Sequence, residues 1–179
     1  MNTITRRAAV AFVAAALAAP AAVAATSGAA SAAPYCGITW GSTAKATSPG
    51  LLWTGKVTGV RAGQHTCFDR LVFDVDPGRG TLGYNVRYVS AVTSPGSGMP
   101  VAVSGGAKIQ ITVNAPSTLG MSTRTFSGWR TFRQLKNIGS YEGYTDYGLG
   151  VRARLPMRAF VLADADGGRR LVVDVAHQW

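Results

Sequence analysis

The chain has 179 residues, with 18 Lys and Arg against 8 Asp and Glu, two His and two Cys, for a formal charge of +10. That length fits one domain once a leader is removed, by the prior of about 100–200 residues per domain. Two histidines, a single glutamate (Glu142) and no Gly-X-Ser-X-Gly elbow leave no His-Glu-X-X-His zinc site and no recognisable serine hydrolase, while the basic balance favours polyanionic partners.

Residues 1–32 read as a secretory signal peptide. Arg6 and Arg7 precede an Ala-rich apolar run from Ala8 to Ala25, and Ala30-Ser31-Ala32 supplies small residues at a cleavage site. A transmembrane anchor is the competing reading. Pro20 interrupts the run, and alanine is only weakly apolar, short of the ~20 strongly apolar residues a span wants. Thr5-Arg6-Arg7 leaves both Sec and Tat export open. Removing the leader leaves 147 residues with 16 basic against 8 acidic side chains, a charge of +8. Outside a bacterial cell the available polyanions are wall polymers and lipid headgroups, not genomic DNA. The same charge also serves solubility alone, and both readings stand.

Residues 33–52 are rich in Gly, Ser, Thr and Pro and are expected to form an irregular lead-in, with the folded domain over 53–179. Cys36 in this lead-in and Cys67 form an even pair, which in an oxidising compartment reads as one disulfide. Strands are expected at Trp53–Ala62, Asp69–Asp76, Tyr84–Thr93, Val101–Val103, Lys108–Val113, Phe132–Ile138, Gly148–Leu155, Arg158–Ala163 and Arg170–Val175. Between them lie turn signals such as Asp76-Pro77-Gly78, Ser94-Pro95-Gly96 and Asp166-Gly167-Gly168. Pro116–Arg130 and Gly139–Tyr147 are expected to be irregular, with room for a short helix. The pattern is all-β: an antiparallel β-sandwich of two sheets in one domain.

One segment echoes another. Arg70-Leu71-Val72-Phe73-Asp74-Val75 recurs as Arg170-Leu171-Val172-Val173-Asp174-Val175, identical at five of six positions. Side chains alternate between the faces of a strand. Leu71, Phe73 and Val75, with Leu171, Val173 and Val175, are therefore assigned to the core. Arg70, Asp74, Arg170 and Asp174 go to the other face. If the two strands lie antiparallel and in register, Arg70 meets Asp174 and Asp74 meets Arg170. Such pairs stabilise a sheet by roughly 0.2–1 kcal/mol each, so ladder chemistry alone accounts for them as well as ligand display does.

The segment Val60–Val75 resembles the opening of AMIN-like domains in actinobacterial secreted proteins. So do Gly83–Val89, Gly139–Gly143, Gly148–Arg152 and the closing Arg170–Val175. The resemblance spans nearly all of 36–179. It implies a β-sandwich related to the AMIN domain, a module associated with peptidoglycan binding and envelope localisation. It also implies two sheets, each carrying one related motif on its outer face, with Arg70, Asp74, Arg170 and Asp174 as the outward groups.

Residues suited to binding lie elsewhere too. Tyr141, Tyr144 and Tyr147 repeat every third residue in a glycine-containing segment, and aromatic faces suit the apolar faces of sugars. Arg152 and Arg154 are expected to project from one strand face, where guanidinium binds carboxylate or phosphate bidentately. Tucked tyrosines and a solvated arginine face are the bland alternative. His65 reads as a turn residue and His177 as exposed near the C-terminus. The expectation is a secreted, non-enzymatic module for peptidoglycan or anionic wall polymers, with no metal, cofactor, nucleic acid or membrane anchor in the mature form. A secreted protein–protein interaction domain is the alternative.

Overall fold

The computed structural model describes residues 34–47 and 50–179. The proposed leader lies outside the described residues. The sandwich is all-β, as the alternation requires. Among the described residues twelve strands run β1 (Lys45–Ala46), β2 (Val57–Gln64), β3 (Phe68–Val75), β4 (Tyr84–Val89), β5 (Val92–Thr93), β6 (Pro100–Val101), β7 (Ala107–Val113), β8 (Ser122–Thr125), β9 (Phe132–Tyr141), β10 (Tyr144–Val151), β11 (Met157–Ala163) and β12 (Arg169–Ala176). Six form one antiparallel sheet in the order β1-β4-β7-β10-β9-β8, and four form the other in the order β11-β12-β3-β2. No helix long and apolar enough to cross a membrane occurs among the described residues.

The echoed segments pair as the alternation demands. β3 and β12 lie antiparallel at the centre of the smaller sheet, with Arg70 opposite Asp174 and Arg170 opposite Asp74. Leu71, Phe73, Val75, Leu171, Val173 and Val175 all face inward and are buried. From the larger sheet Val86, Ile109, Ile111, Val113, Leu149 and Val151 meet them. Both faces of the core thus come from period-two patterns that any one-residue slip would turn outward.

Three expectations change. The lead-in is not irregular throughout, because Lys45–Ala46 pair with Val86 and Asn85 and extend the larger sheet. The stretch after Pro116 contains β8, a fully exposed edge strand whose Ser-Thr-Arg-Thr sequence carries no apolar alternation to reveal it. Gly139–Tyr147 is the tip of the β9–β10 hairpin, with Glu142 at φ 49° and Gly143 at φ 84°.

A short ribbon of β5 and β6 lies against the outer side of the larger sheet, where Val92, Val103 and Ile138 make a second small core. The glycines of β10 allow this approach. A Cβ on Gly148 would stand 2.9 Å from the side chains of both Val92 and Val103, and one on Gly150 would run into the Ser104 carbonyl. The ribbon therefore covers one end of the outer face and leaves the other end open.

Candidate functional site

The outer face of the smaller sheet carries a cluster of ion pairs. Asp174 on β12 is fully buried, yet its two oxygens are shared by two arginines. Arg70 on β3 donates from Nε at 2.6 Å to one oxygen and from Nη2 at 2.9 Å to the other. Arg158 on β11 donates from Nε to the second oxygen at 2.7 Å. Arg70 is held more firmly in its charged form than a free guanidinium, first by that hydrogen bond and then by the carboxylate's charge.

Aromatic rings fix the same arginines from their flat sides. The Arg70 guanidinium carbon stands 5.1 Å from the Phe68 ring centre, and that of Arg158 lies 5.2–5.4 Å from Phe160, Phe68 and Trp40. Planar guanidinium prefers such stacking. Phe68 and Phe160 sit two residues from Arg70 and Arg158 on their strands and so share a face with them. Trp40 arrives from the lead-in, which the Cys36–Cys67 disulfide ties to the start of β3. Two cations on one buried anion leave an excess charge, and Nη1 of Arg70 and both Nη groups of Arg158 have no hydrogen-bond partner among the described residues. Both arginines remain about a quarter to a third exposed, at 26% and 31%. The arrangement suits a carboxylate or phosphate oxygen bridging the two forks.

The neighbouring ion pairs depart from the expected ladder. Asp74 and Arg170 face each other in register but choose other partners. Arg61 on β2 takes Asp74 with two bonds of 2.7 and 2.6 Å, and Asp164 in the β11–β12 turn takes Arg170 at 2.5 Å. Four arginines and three aspartates thus occupy one face. Asp174 lies on the expected outer face but is covered there by Arg70 and Arg158, which it positions from beneath. The two echoed motifs also lie side by side on one sheet, not one on each sheet.

The other proposed binding residues do not converge. Arg152 and Arg154 lie in a bend after β10, not on a strand face. Arg152 donates to the carbonyl of His177 at 2.6 Å and of Arg130 at 3.2 Å. Arg154 donates to the Ser42 carbonyl and lies over the Tyr88 ring at 4.7 Å. Both guanidiniums hold loops together. Tyr147 is a core residue at 1% exposure, its ring centre 4.8 Å from that of Phe73. Tyr141 is exposed at the hairpin tip, against Gly96. Tyr144 lines a cleft on the outer face of the larger sheet, whereas Tyr147 reaches a different one from the core side.

His65 stacks on Phe68 in the turn between β2 and β3, as a turn residue should. His177 is not exposed but buried, with Nδ1 3.0 Å from the Thr131 hydroxyl and Nε2 2.9 Å from the His65 carbonyl. Its backbone N–H donates to the Cys67 carbonyl, so the chain's tail closes over the disulfide turn. Among the described residues no group of three or more His, Cys, Asp or Glu is placed to hold a metal ion.

The open end of the larger sheet's outer face carries a polar row. Asn85 on β4, Thr112 on β7 and Asp146 on β10 stand side by side in register. Thr112 donates to the buried Asp146 carboxyl at 2.5 Å. Burial pushes that carboxyl above the ordinary Asp value of 3.8, opposed by Thr112, Arg87 and Gln110. An acid whose folded pKa exceeds its unfolded one binds protons more tightly when folded, so its contribution to stability falls as pH rises between the two values. Asp146→Asn does not titrate and retains an acceptor for Thr112. Its stability relative to the parent is therefore expected to improve as pH rises from about 3 to about 7. Urea midpoints across that range provide the check, and a difference that ignores pH would contradict the assignment.

Compared with known sequences, the AMIN-like domain family model matches residues 55–177. Neither a curated protein nor a solved structure matches the chain.

Proposed function

Because the chain belongs to the AMIN-like domain family, we propose that it is a secreted, non-enzymatic cell-envelope module that holds peptidoglycan or an associated anionic wall polymer on the arginine–aromatic face of its smaller sheet. The observation that carries this reading is the buried Asp174 shared by Arg70 and Arg158. It fixes two guanidinium forks side by side, with aromatic rings between them and an uncompensated charge outward. Preorganised donors lose little side-chain freedom on binding, which favours affinity. The leader, if cleaved at residue 32, delivers a chain of charge +8 to a compartment of anionic polymers.

The test is co-sedimentation with purified sacculi across a salt series. Retention is expected at low salt and to fall as salt rises, because exposed charges are screened over about 10 Å at 0.1 M. Arg158→Gln should weaken retention markedly. Arg124→Gln, which removes an equal charge from the exposed β8 edge, should weaken it little. Equal losses in the two variants would reduce the effect to net charge and overturn the site. One feature favours a protein partner instead: β8 is a short, fully exposed edge strand, open to pairing with an added strand. Absence of retention even at low salt would favour that second reading.

A further inference from the structure

The cleft beside Tyr144 has a chemistry of its own. It measures about 250 Å³ and is lined by Thr47, Gly50, Tyr84, Asn85, Arg87, Thr112, Asn114 and Tyr144. Two members of the polar row, Asn85 and Thr112, line it; Asp146 lies next to Thr112 but outside the lining. The Asn85 side-chain oxygen is buried with no hydrogen-bond partner among the described residues. Turning the amide over exchanges an orphan acceptor for an orphan donor, so either way the group is one hydrogen bond short. A buried polar atom without a partner is rare in a folded protein and invites an explanation. Two positions along β4, on the same face, Arg87 is half-buried and makes no ion pair within 4 Å among the described residues; it acts on Asp146 only through its charge.

We infer that this cleft is a saccharide site for one neutral hexopyranose ring, separate from the arginine–aromatic face. A sugar hydroxyl both donates and accepts. Neighbouring hydroxyls can therefore accept from Arg87 and, once the Asn85 side chain turns its covered oxygen toward the cleft, donate to it, which no simple anion or cation does. Tyr144 in the lining supplies an aromatic ring suited to the sugar's C–H side. The volume lies just below the ~300–1,000 Å³ typical of drug-sized ligands, matching one ring and not a chain segment. The lining also argues against an N-acetylated sugar. Among the described residues no Ala, Val, Leu, Ile or Met side chain borders the cleft to receive an acetyl methyl. The polymer expected at the arginine face is selected by charge; this cleft selects by hydroxyl pattern.

Backbone amide chemical shifts of the purified protein, followed while adding methyl glucoside, methyl mannoside, methyl galactoside and N-acetylglucosamine separately, test the proposal. Saturable shifts centred on Asn85, Arg87, Thr112 and Tyr144 are expected with at least one of the three hexosides, and weaker ones with N-acetylglucosamine. Arg87→Ala, at a half-buried position, should lose at least about tenfold in affinity, the equivalent of one good hydrogen bond. Asn85→Asp, which retains an acceptor, should lose less than Asn85→Ala. No saturable shift with any hexoside, or equal binding by Arg87→Ala, overturns the inference. Sedimentation with sacculi reports on the arginine face alone and is expected to be unchanged in Arg87→Ala beyond the loss of one charge.

Discussion

Asp174→Ala is expected to lower the unfolding free energy by about 3 kcal/mol, at the lower end of the ~3–5 kcal/mol seen when a buried ion pair loses one partner. The carboxylate is wholly buried, and its loss leaves Arg70 and Arg158 facing each other across an empty site. The penalty falls at the low end because both arginines retain a path to solvent and can swing outward. Denaturant unfolding measures it, and a loss below about 1 kcal/mol would place the pair among ordinary surface salt bridges. The substitution also separates two accounts of wall binding. Removing an acidic group raises the net charge, so binding by total charge predicts tighter retention. Binding by a fixed pair of forks predicts weaker retention, measured where the variant is still folded. Asp174→Asn, which preserves shape, should fall between the variant and the parent.

Replacing both cysteines by serine is expected to cost roughly 3–4 kcal/mol by the chain-entropy model for a loop of this length. The bond joins Cys36 and Cys67, 31 residues apart. Without it the lead-in retains weaker ties: the Met157 N–H to the Gly41 carbonyl, Arg154 to the Ser42 carbonyl, hydrogen bonds between Thr47 and Tyr84, and the two-residue β1. Trp40, buried between these ties and stacked near Arg158 and Phe68, should lose order as well. The paired readout is an urea midpoint together with tryptophan emission. A midpoint unmoved by the substitution, or by reductant on the parent, would mean that the lead-in folds onto the sheet unaided. Because Trp40 flanks Arg158, the double variant should also retain less wall polymer.

Much of this was legible in the sequence where local alternation carried the information. Leu71, Phe73 and Val75 and their counterparts in β12 face the core because a strand permits no other grouping. The register of Arg70 on Asp174 follows from the same echo. What stayed hidden depended on where the chain turns. Tyr144 and Tyr147 are three apart, and on a strand an odd spacing places them on opposite faces, so the tyrosine repeat does not form one surface. Arg152 and Arg154 alternate correctly, but β10 ends at Val151 and the chain bends there to reach the other sheet. Asp74 and Arg170 sit in register, yet Arg61 and Asp164 lie within better reach, a choice that strand pairing cannot forecast. The part of Trp40 was invisible because it arrives from a segment with no periodicity at all.

The centre of the smaller sheet is made by strands 104 residues apart at the Arg70–Asp174 contact. Until β12 is available, β3 has only β2 as a neighbour, and the carboxylate that joins Arg70 to Arg158 is missing. Closing such a distant pairing is slow and comes late, since chain entropy opposes it until the final contacts form. Assembly of the smaller sheet therefore waits on β12: a chain cut short before residue 169 lacks not merely one strand but the keystone carboxylate, and the same short segment decides when the two arginines of that face are brought together.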